Sequence, residues 1–165
     1  MILDSDIQIM INMILWHTYN RYWSTLTAAA WHRSTVIFDE VTSFYLRQNK
    51  KPRREAYPAV VSACCTKYKN SKVYVDNSRD PCVTRFDFRL RSVICMLGEI
   101  GKPAVRRSKC KFILGRCAEQ QVANALLKDQ KQALLGDIYF GDAFRPRTGE
   151  YMAPCENCQL IFPNL

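Results

Sequence analysis

The first 51 residues hold neither glycine nor proline, and their apolar positions recur at helical spacing. Ile7, Met10, Ile11, Ile14, Leu15 and Tyr22 form one such set, and Ile37, Val41, Phe44 and Tyr45 a second. The pattern predicts one long or broken helix over residues 5–31 and another over 34–48, with Ser34 and Thr35 placed to cap the second. The period stops at the basic linker Lys50-Lys51-Pro52-Arg53-Arg54. Beyond it, residues 58–66 and 71–75 are two short β-rich runs around a polar tetrapeptide, the pattern of a β-hairpin. Helical spacing returns over 84–99 through Phe86, Phe88, Leu90, Val93, Ile94 and Leu97, and again over 117–131 through Val122, Ala125, Leu126 and Leu127. Residues 111–114 read as a short extended segment, 137–140 as a third strand, 145–152 as a loop, and 155–162 as a last helix stopped by Pro163. The alternation predicts a single α/β domain, with a helical part at residues 1–50 packed on a core at 51–165.

A chain of 165 residues that is 48% hydrophobic has material for a full core, and buries roughly 70% of the surface its unfolded form exposes. No stretch approaches the ~20 apolar residues of a membrane span, so no membrane partner is expected. Asp4 and Asp6 stand where a signal peptide carries positive charge, and Gln8 and Asn12 interrupt its apolar run.

Chemistry concentrates in Cys117-Ala118-Glu119 and Pro154-Cys155-Glu156-Asn157-Cys158. Three thiols can hold one zinc and leave the fourth tetrahedral position free for water, the pattern of a catalytic rather than a structural site. Glu119, two residues after the first of them, is placed to carry protons to and from that water. Cys117 and the Cys155/Cys158 pair lie at predicted helix N-termini, where partial positive charge favours thiolate. Arg116 could also donate to a thiolate sulfur. Taken alone, Cys-x-x-Cys also suits a structural half-site or a redox pair, and Cys110 is the first candidate for a closing fourth ligand. His17 and His32 read as ordinary helix residues. The cysteines outside the motif, Cys64, Cys65, Cys82, Cys95 and Cys110, are odd in number and include an adjacent pair. That predicts reduced, mostly buried thiols and an intracellular site of action, cytoplasm or nucleus, with secretion inside a longer protein as the other route.

The order hairpin, Cys-Ala-Glu helix, strand, Pro-Cys-x-x-Cys helix resembles the zinc-dependent cytidine deaminase-like superfamily over roughly residues 34–162. The resemblance implies a three-layer fold: a central mixed sheet, both zinc-ligand helices on one face, and extra N-terminal helices. It implies Cys117, Cys155 and Cys158 as ligands of one catalytic Zn2+, Glu119 as the proton shuttle, and Ala118 among the substrate-binding residues. Asn77 matches loosely an asparagine with which cytidine deaminases hold the ribose. Members usually continue past the last helix into a loop that chooses the base 5′ to the target; seven residues follow Cys158 here, and none is assigned to that loop.

Charge points to the substrate. Residues 51–116 hold sixteen basic and five acidic side chains, residues 1–50 four of each, and residues 117–165 four basic and six acidic. A basic excess just before the motif suits a polyanionic partner. Arg145 and Arg147 lie between the third strand and the second zinc loop, where a substrate backbone would pass, and Tyr139, Phe144 and Tyr151 could stack on a base. The expectation is hydrolytic deamination of cytosine in single-stranded DNA or RNA, as in the nucleic-acid editing or polymorphic-toxin branches; a toxin would have an immunity protein as partner. A deaminase of free cytidine, and an inactive zinc module that binds nucleic acid, are the other readings.

Overall fold

The computed structural model describes residues 4–68 and 71–165, with side chains from Asn20 onward. Helix α1, Asp4–Leu46, is unbroken and about 64 Å long at 1.5 Å per residue. The break expected at 32–33 and the separate second helix do not occur. Thr35 Oγ1 donates to the His32 carbonyl at 2.7 Å, and Ser34 is buried. A hydroxyl bonded to its own preceding turn leaves the helical ladder intact instead of capping a new one. The helix ends where Asn49 takes a φ of 54° and the Lys50 amide bonds the Tyr45 carbonyl at 3.0 Å, an αL stop. His32 lies exposed on this helix; the His17 side chain lies outside the described residues.

The expected hairpin forms from β1, Val61–Thr66, and β2, Tyr74–Asn77, in the register Val61↔Asn77 to Cys64↔Tyr74. β3, Ile138–Phe140, and β4, Ala143–Phe144, are successive pieces of the strand on the other side of β1, and β5, Tyr151–Met152, pairs with β4. Every ladder among the described residues is antiparallel, in place of the mixed sheet that the resemblance implied. Local turn chemistry is the cause. In the segment expected as a loop, the Arg145 amide bonds the Glu150 carbonyl at 2.9 Å and the Gly149 amide bonds the Arg145 carbonyl at 2.8 Å. The chain therefore reverses at once into a β4–β5 hairpin, without a crossover.

All six residues of β1 are buried, so the sheet is covered on both faces. Ala63 and Cys65 meet Leu26 and Ala30 of α1. Cys64 faces the opposite core, formed by α2, Phe88–Leu97, α3, Ala118–Asp129, and α4, Glu156–Ile161. The result is three layers, with α1 alone on one side and both cysteine-bearing helices on the other.

Helix α2 is shorter than the period suggested. Asp87 caps it by accepting from the Arg89 amide at 3.0 Å, and residues 83–85 form a separate 3₁₀ turn. Phe88, counted by periodicity among the core residues, is 76% exposed, with the Arg89 guanidinium 5.7 Å from its ring centroid. Arg89 itself is a tie. It bonds both Asp87 carboxylate oxygens, at 2.8 and 3.0 Å, and donates to the carbonyls of Leu127 in the last turn of α3 and of Lys131 and Ala133 just beyond it. It thereby satisfies carbonyls that the end of a helix leaves open.

Three residue steps along β1, from Val61 to Cys64, span four along its partner, from Phe144 back to Phe140. The extra residue is a β-bulge at Gly141-Asp142. A Cβ on Gly141 would lie 2.4 Å from the Thr27 amide nitrogen and 2.6 Å from the Leu26 carbonyl carbon, so α1 rests directly on this glycine. Because the clash is with helix backbone, Gly141→Ala is expected to lower stability by about 3 kcal/mol, read from the urea midpoint at unchanged m-value.

The guanidinium of Arg89, by its hydrogen bonds, holds the Asp87 carboxyl below the usual carboxylate range, and both side chains are nearly buried. A folded-state pKa below the unfolded value of about 3.9 means that the stabilisation is present above that pH and is lost as pH falls through the folded-state value. Urea unfolding between pH 5.5 and 3 (roughly the window of carboxylate titration) is expected to show a shallower acid-side loss of stability in Asp87→Asn than in the wild type, from a lower starting stability.

Candidate metal centre

The approach to the site is set by Gly115. Its φ of 85° favours glycine, and a Cβ would meet Pro81 at 2.8 Å and Ile100 at 2.9 Å. Two glutamines of α3's first turn fold back onto it: Gln120 Oε1 accepts from the Gly115 amide, and Gln121 Nε2 donates to the Gly115 carbonyl at 2.6 Å. This clamp fixes the turn that delivers Cys117 to the N-cap of α3. Cys155 is likewise the residue before the first turn of α4, so the positive ends of two helices converge on the sulfurs.

The sulfurs of Cys117, Cys155 and Cys158 all lie within 4.8 Å of one another. Cys117 to Cys155 is 3.5 Å and Cys155 to Cys158 is 3.6 Å. Thiolates around a tetrahedral zinc, each at about 2.3 Å, stand about 3.8 Å apart, so the donors are already near coordination spacing. Protonation tells the same story. Hydrogen bonds from Cys117 and Cys158 hold the Cys155 thiol well below its usual value. The hydrogen bond to Cys155, with burial behind it, pushes Cys117 up; the hydrogen bonds with Cys117 and Cys155, with burial behind them, push Cys158 up. A divalent cation is what would let all three crowded sulfurs ionise. The residues fit a metal ion.

Glu119 is in the first turn of α3, and Cys158 Sγ lies 3.7 Å from its Oε2. Burial pushes its carboxyl up to about 7, and the Gln120 amide donates to Cys158 Sγ at 3.5 Å. Glu119 also lines a pocket of about 170 Å³, together with Trp23 of α1, Asp142 of the bulge, Tyr151 of β5, Pro154 and Leu165. None of the three cysteines lines this cavity; Glu119, in contact with Cys158, is the residue that stands between the sulfurs and it.

The other residues singled out in the sequence are arranged around this centre, not in it. Ala118 is buried behind Cys117. Arg116 is exposed and pairs with Asp80 at 3.3 Å, away from the sulfurs. Asn77, at the end of β2, donates to the Ser78 carbonyl at 3.2 Å and is not among the pocket residues. Arg145 pairs with Glu150 at 3.1 Å, and Arg147 is exposed in the turn of the same β4–β5 hairpin. Of the three aromatics, Tyr139 stacks on Tyr22, Phe144 meets the edge of Trp31, and Tyr151 alone lines the pocket.

Cys110 lies near Cys155 but outside the group of three sulfurs. Its loop is pinned to α4. Ser108 Oγ and the Lys109 amide both donate to Glu156 Oε2, at 3.1 and 2.9 Å, and Asn157 Nδ2 donates to the Phe112 carbonyl at 3.2 Å. Arg106, Arg107, Lys109 and Lys111 are exposed on that loop. All eight cysteines are free; Cys64 and Cys65 are buried as expected, while Cys82 and Cys95 are exposed because they fall outside the strand and off the buried stripe of α2. Among the described residues no helix is long and apolar enough to cross a membrane.

Sequence reasoning missed Trp23, Asp142, Gln120 and Gln121. A glycine two residues before Cys117 and two consecutive glutamines in the turn after it were the available signals for the clamp; nothing local tied Trp23 to residues some 96 or more positions away. Compared with known proteins, the chain matches no family model, no curated protein and no solved structure.

The centre is expected to bind one divalent ion per chain. Titration with Co2+ should give a 1:1 endpoint (roughly the stoichiometry of a single tetrahedral site) with thiolate charge-transfer absorption. Cys117→Ser, Cys155→Ser and Cys158→Ser should each weaken binding by at least about tenfold, while Cys82→Ser should leave it unchanged.

Proposed function

We propose that this protein is a zinc-dependent deaminase that converts cytosine to uracil in single-stranded nucleic acid. The observation that carries the reading is Glu119, a buried carboxyl 3.7 Å from one sulfur of a three-thiol cluster and open to a pocket. A closed structural site has no use for such a group. Cys117, Cys155 and Cys158 would hold the ion, which when bound supplies the Lewis acidity that makes water nucleophilic near neutral pH.

Glu119 does the proton work. Its carboxylate takes a proton from the attacking water and passes it to the ring nitrogen next to the reacting carbon. The second proton goes to the exocyclic amine, which leaves as ammonia. The balance is amine plus water giving carbonyl plus ammonia, with no redox change. A buried carboxyl whose proton affinity has been raised is suited to both taking and returning a proton. Gln120, by donating to Cys158 Sγ, moderates the charge of an all-thiolate set.

Exposed Arg106, Arg107, Lys109 and Lys111 on the loop pinned to α4, and exposed Arg147 on the hairpin that lines the pocket, favour a phosphate backbone over a free nucleoside. A base must leave its stack to enter so narrow a cavity, which favours single strands over duplex.

The test is incubation of the zinc-loaded protein with cytosine- and adenine-containing oligonucleotides, single- and double-stranded, and with free nucleosides, read by mass for the gain of one mass unit. Turnover of the single-stranded cytosine substrate is the expected result. Glu119→Gln should keep the metal and the fold but lose about 10²–10⁴-fold in turnover. Deamination at wild-type rate by Glu119→Gln would overturn the proposal.

A further inference from the structure

The pocket beside Glu119 is built partly by α1. Trp23 lines it directly, and Thr27, one turn further along the same helix, accepts through Oγ1 from the Asp142 amide at 2.9 Å. That bond sits on the Gly141-Asp142 bulge, the device that turns Asp142 out of the strand and into the cavity. One helical turn thus contributes a ring to the pocket and anchors its acid.

The lining has a definite chemistry. Trp23 is 39% and Tyr151 55% exposed, and neither ring stacks on another aromatic among the described residues. The Asp142 carboxylate makes no hydrogen bond or ion pair there, and no lysine or arginine lines the cavity. Uncovered aromatic faces with an acceptor-only acid and no cation suit a flat ring that donates, and do not suit a phosphate.

We propose that Trp23, Tyr151 and Asp142 form the seat of a single amine-bearing heterocycle, which enters with its phosphates left outside. The two rings cover its faces, and Asp142 accepts a hydrogen bond from its exocyclic amine. A ring carrying carbonyl oxygen in place of the amine has no proton to give at that position, only one on the neighbouring ring nitrogen, so a carboxylate set against the amine favours substrate over product. The choice of ligand rests on the deaminase reading; the seat itself rests on the pocket.

The experiment uses the zinc-loaded chain carrying Glu119→Gln, Trp16→Phe and Trp31→Phe, which leaves Trp23 as the only tryptophan. It is titrated with cytidine and adenosine, and with uridine and inosine as their carbonyl counterparts. Trp23 fluorescence is expected to be quenched by one amine-bearing nucleoside about tenfold more tightly than by its counterpart. Asp142→Asn should bring the two affinities together, because an amide both donates and accepts. Calorimetry on Trp23→Ala should show at least about tenfold weaker binding, with Trp23→Phe intermediate. No quenching by any of the four nucleosides, or an amine preference that survives in Asp142→Asn, overturns the seat. Quenching with the expected preference in a protein whose Glu119 form releases no ammonia supports the seat and sinks the deaminase reading; turnover without quenching does the reverse.

Discussion

Strand β1 has to be dry on both faces, and this constraint organises the molecule. Val61–Thr66 is buried at all six positions, and a strand covered on both sides needs a layer on each. Helix α1 supplies one, pressing Leu26 and Ala30 onto Ala63 and Cys65. Helices α2, α3 and α4 supply the other around Cys64. The small residues in the α1 stripe, Ala30 and Ser34, and the missing side chain at Gly141 let the helix come down onto the sheet backbone. That close approach occurs at the bulge that aims Asp142. The element that dries the sheet therefore shapes one wall of the pocket, and stability and site are linked through one contact.

On the opposite face the ligands are held by turn chemistry more than by helix length. Helix α4 has only six residues, too few to be stable alone. It is tied by Asn157 to the Phe112 carbonyl and by Glu156 to residues 108–109, and by Ile161 and Phe162 to the core. Helix α3 is held at its N-terminal end by the Gly115 clamp and at its C-terminal end by Arg89. Asn124 fixes its middle by accepting from the Asp87 amide at 2.7 Å and donating to the Arg85 carbonyl at 3.1 Å. Sulfurs 3.5 and 3.6 Å apart are crowded, and these outer bonds hold the elements that carry them in place.

The sequence was most legible where short-range chemistry decides. Hairpin β1–β2, strand β3, and the helices on either side of it are read to within a few residues from period and length. The meeting of Cys117 with Cys155 and Cys158 was legible from the Cys-Ala-Glu and Pro-Cys-x-x-Cys pair through the resemblance those motifs carry. It failed where a long-range contact overrides a local signal. Ser34-Thr35 looks like a cap, yet Ser34 is pulled into the α1–sheet interface and the helix runs on. Phe88 looks like core, yet the Asp87 cap starts α2 so that Phe88 falls on its outer side. Trp23 was invisible as a site residue, since only the folded sheet brings α1 to the cavity.

Charge divides between the cavity and its surroundings. The cavity is lined by Glu119 and Asp142 and by no cation among the described residues, whereas cations stand on the loop pinned to α4 and at the turn of the β4–β5 hairpin. A negative interior is a poor host for phosphate and a good one for an amine, while the outer cations attract phosphate at a distance of the order of ~8–10 Å set by screening. A polyanion steered to such a surface can satisfy both only by turning a base inward and leaving its backbone on the rim. For a free nucleoside the outer charge would have no role. The arrangement therefore makes the rim, and not the pocket, the place where a nucleic acid would be told apart from its monomers.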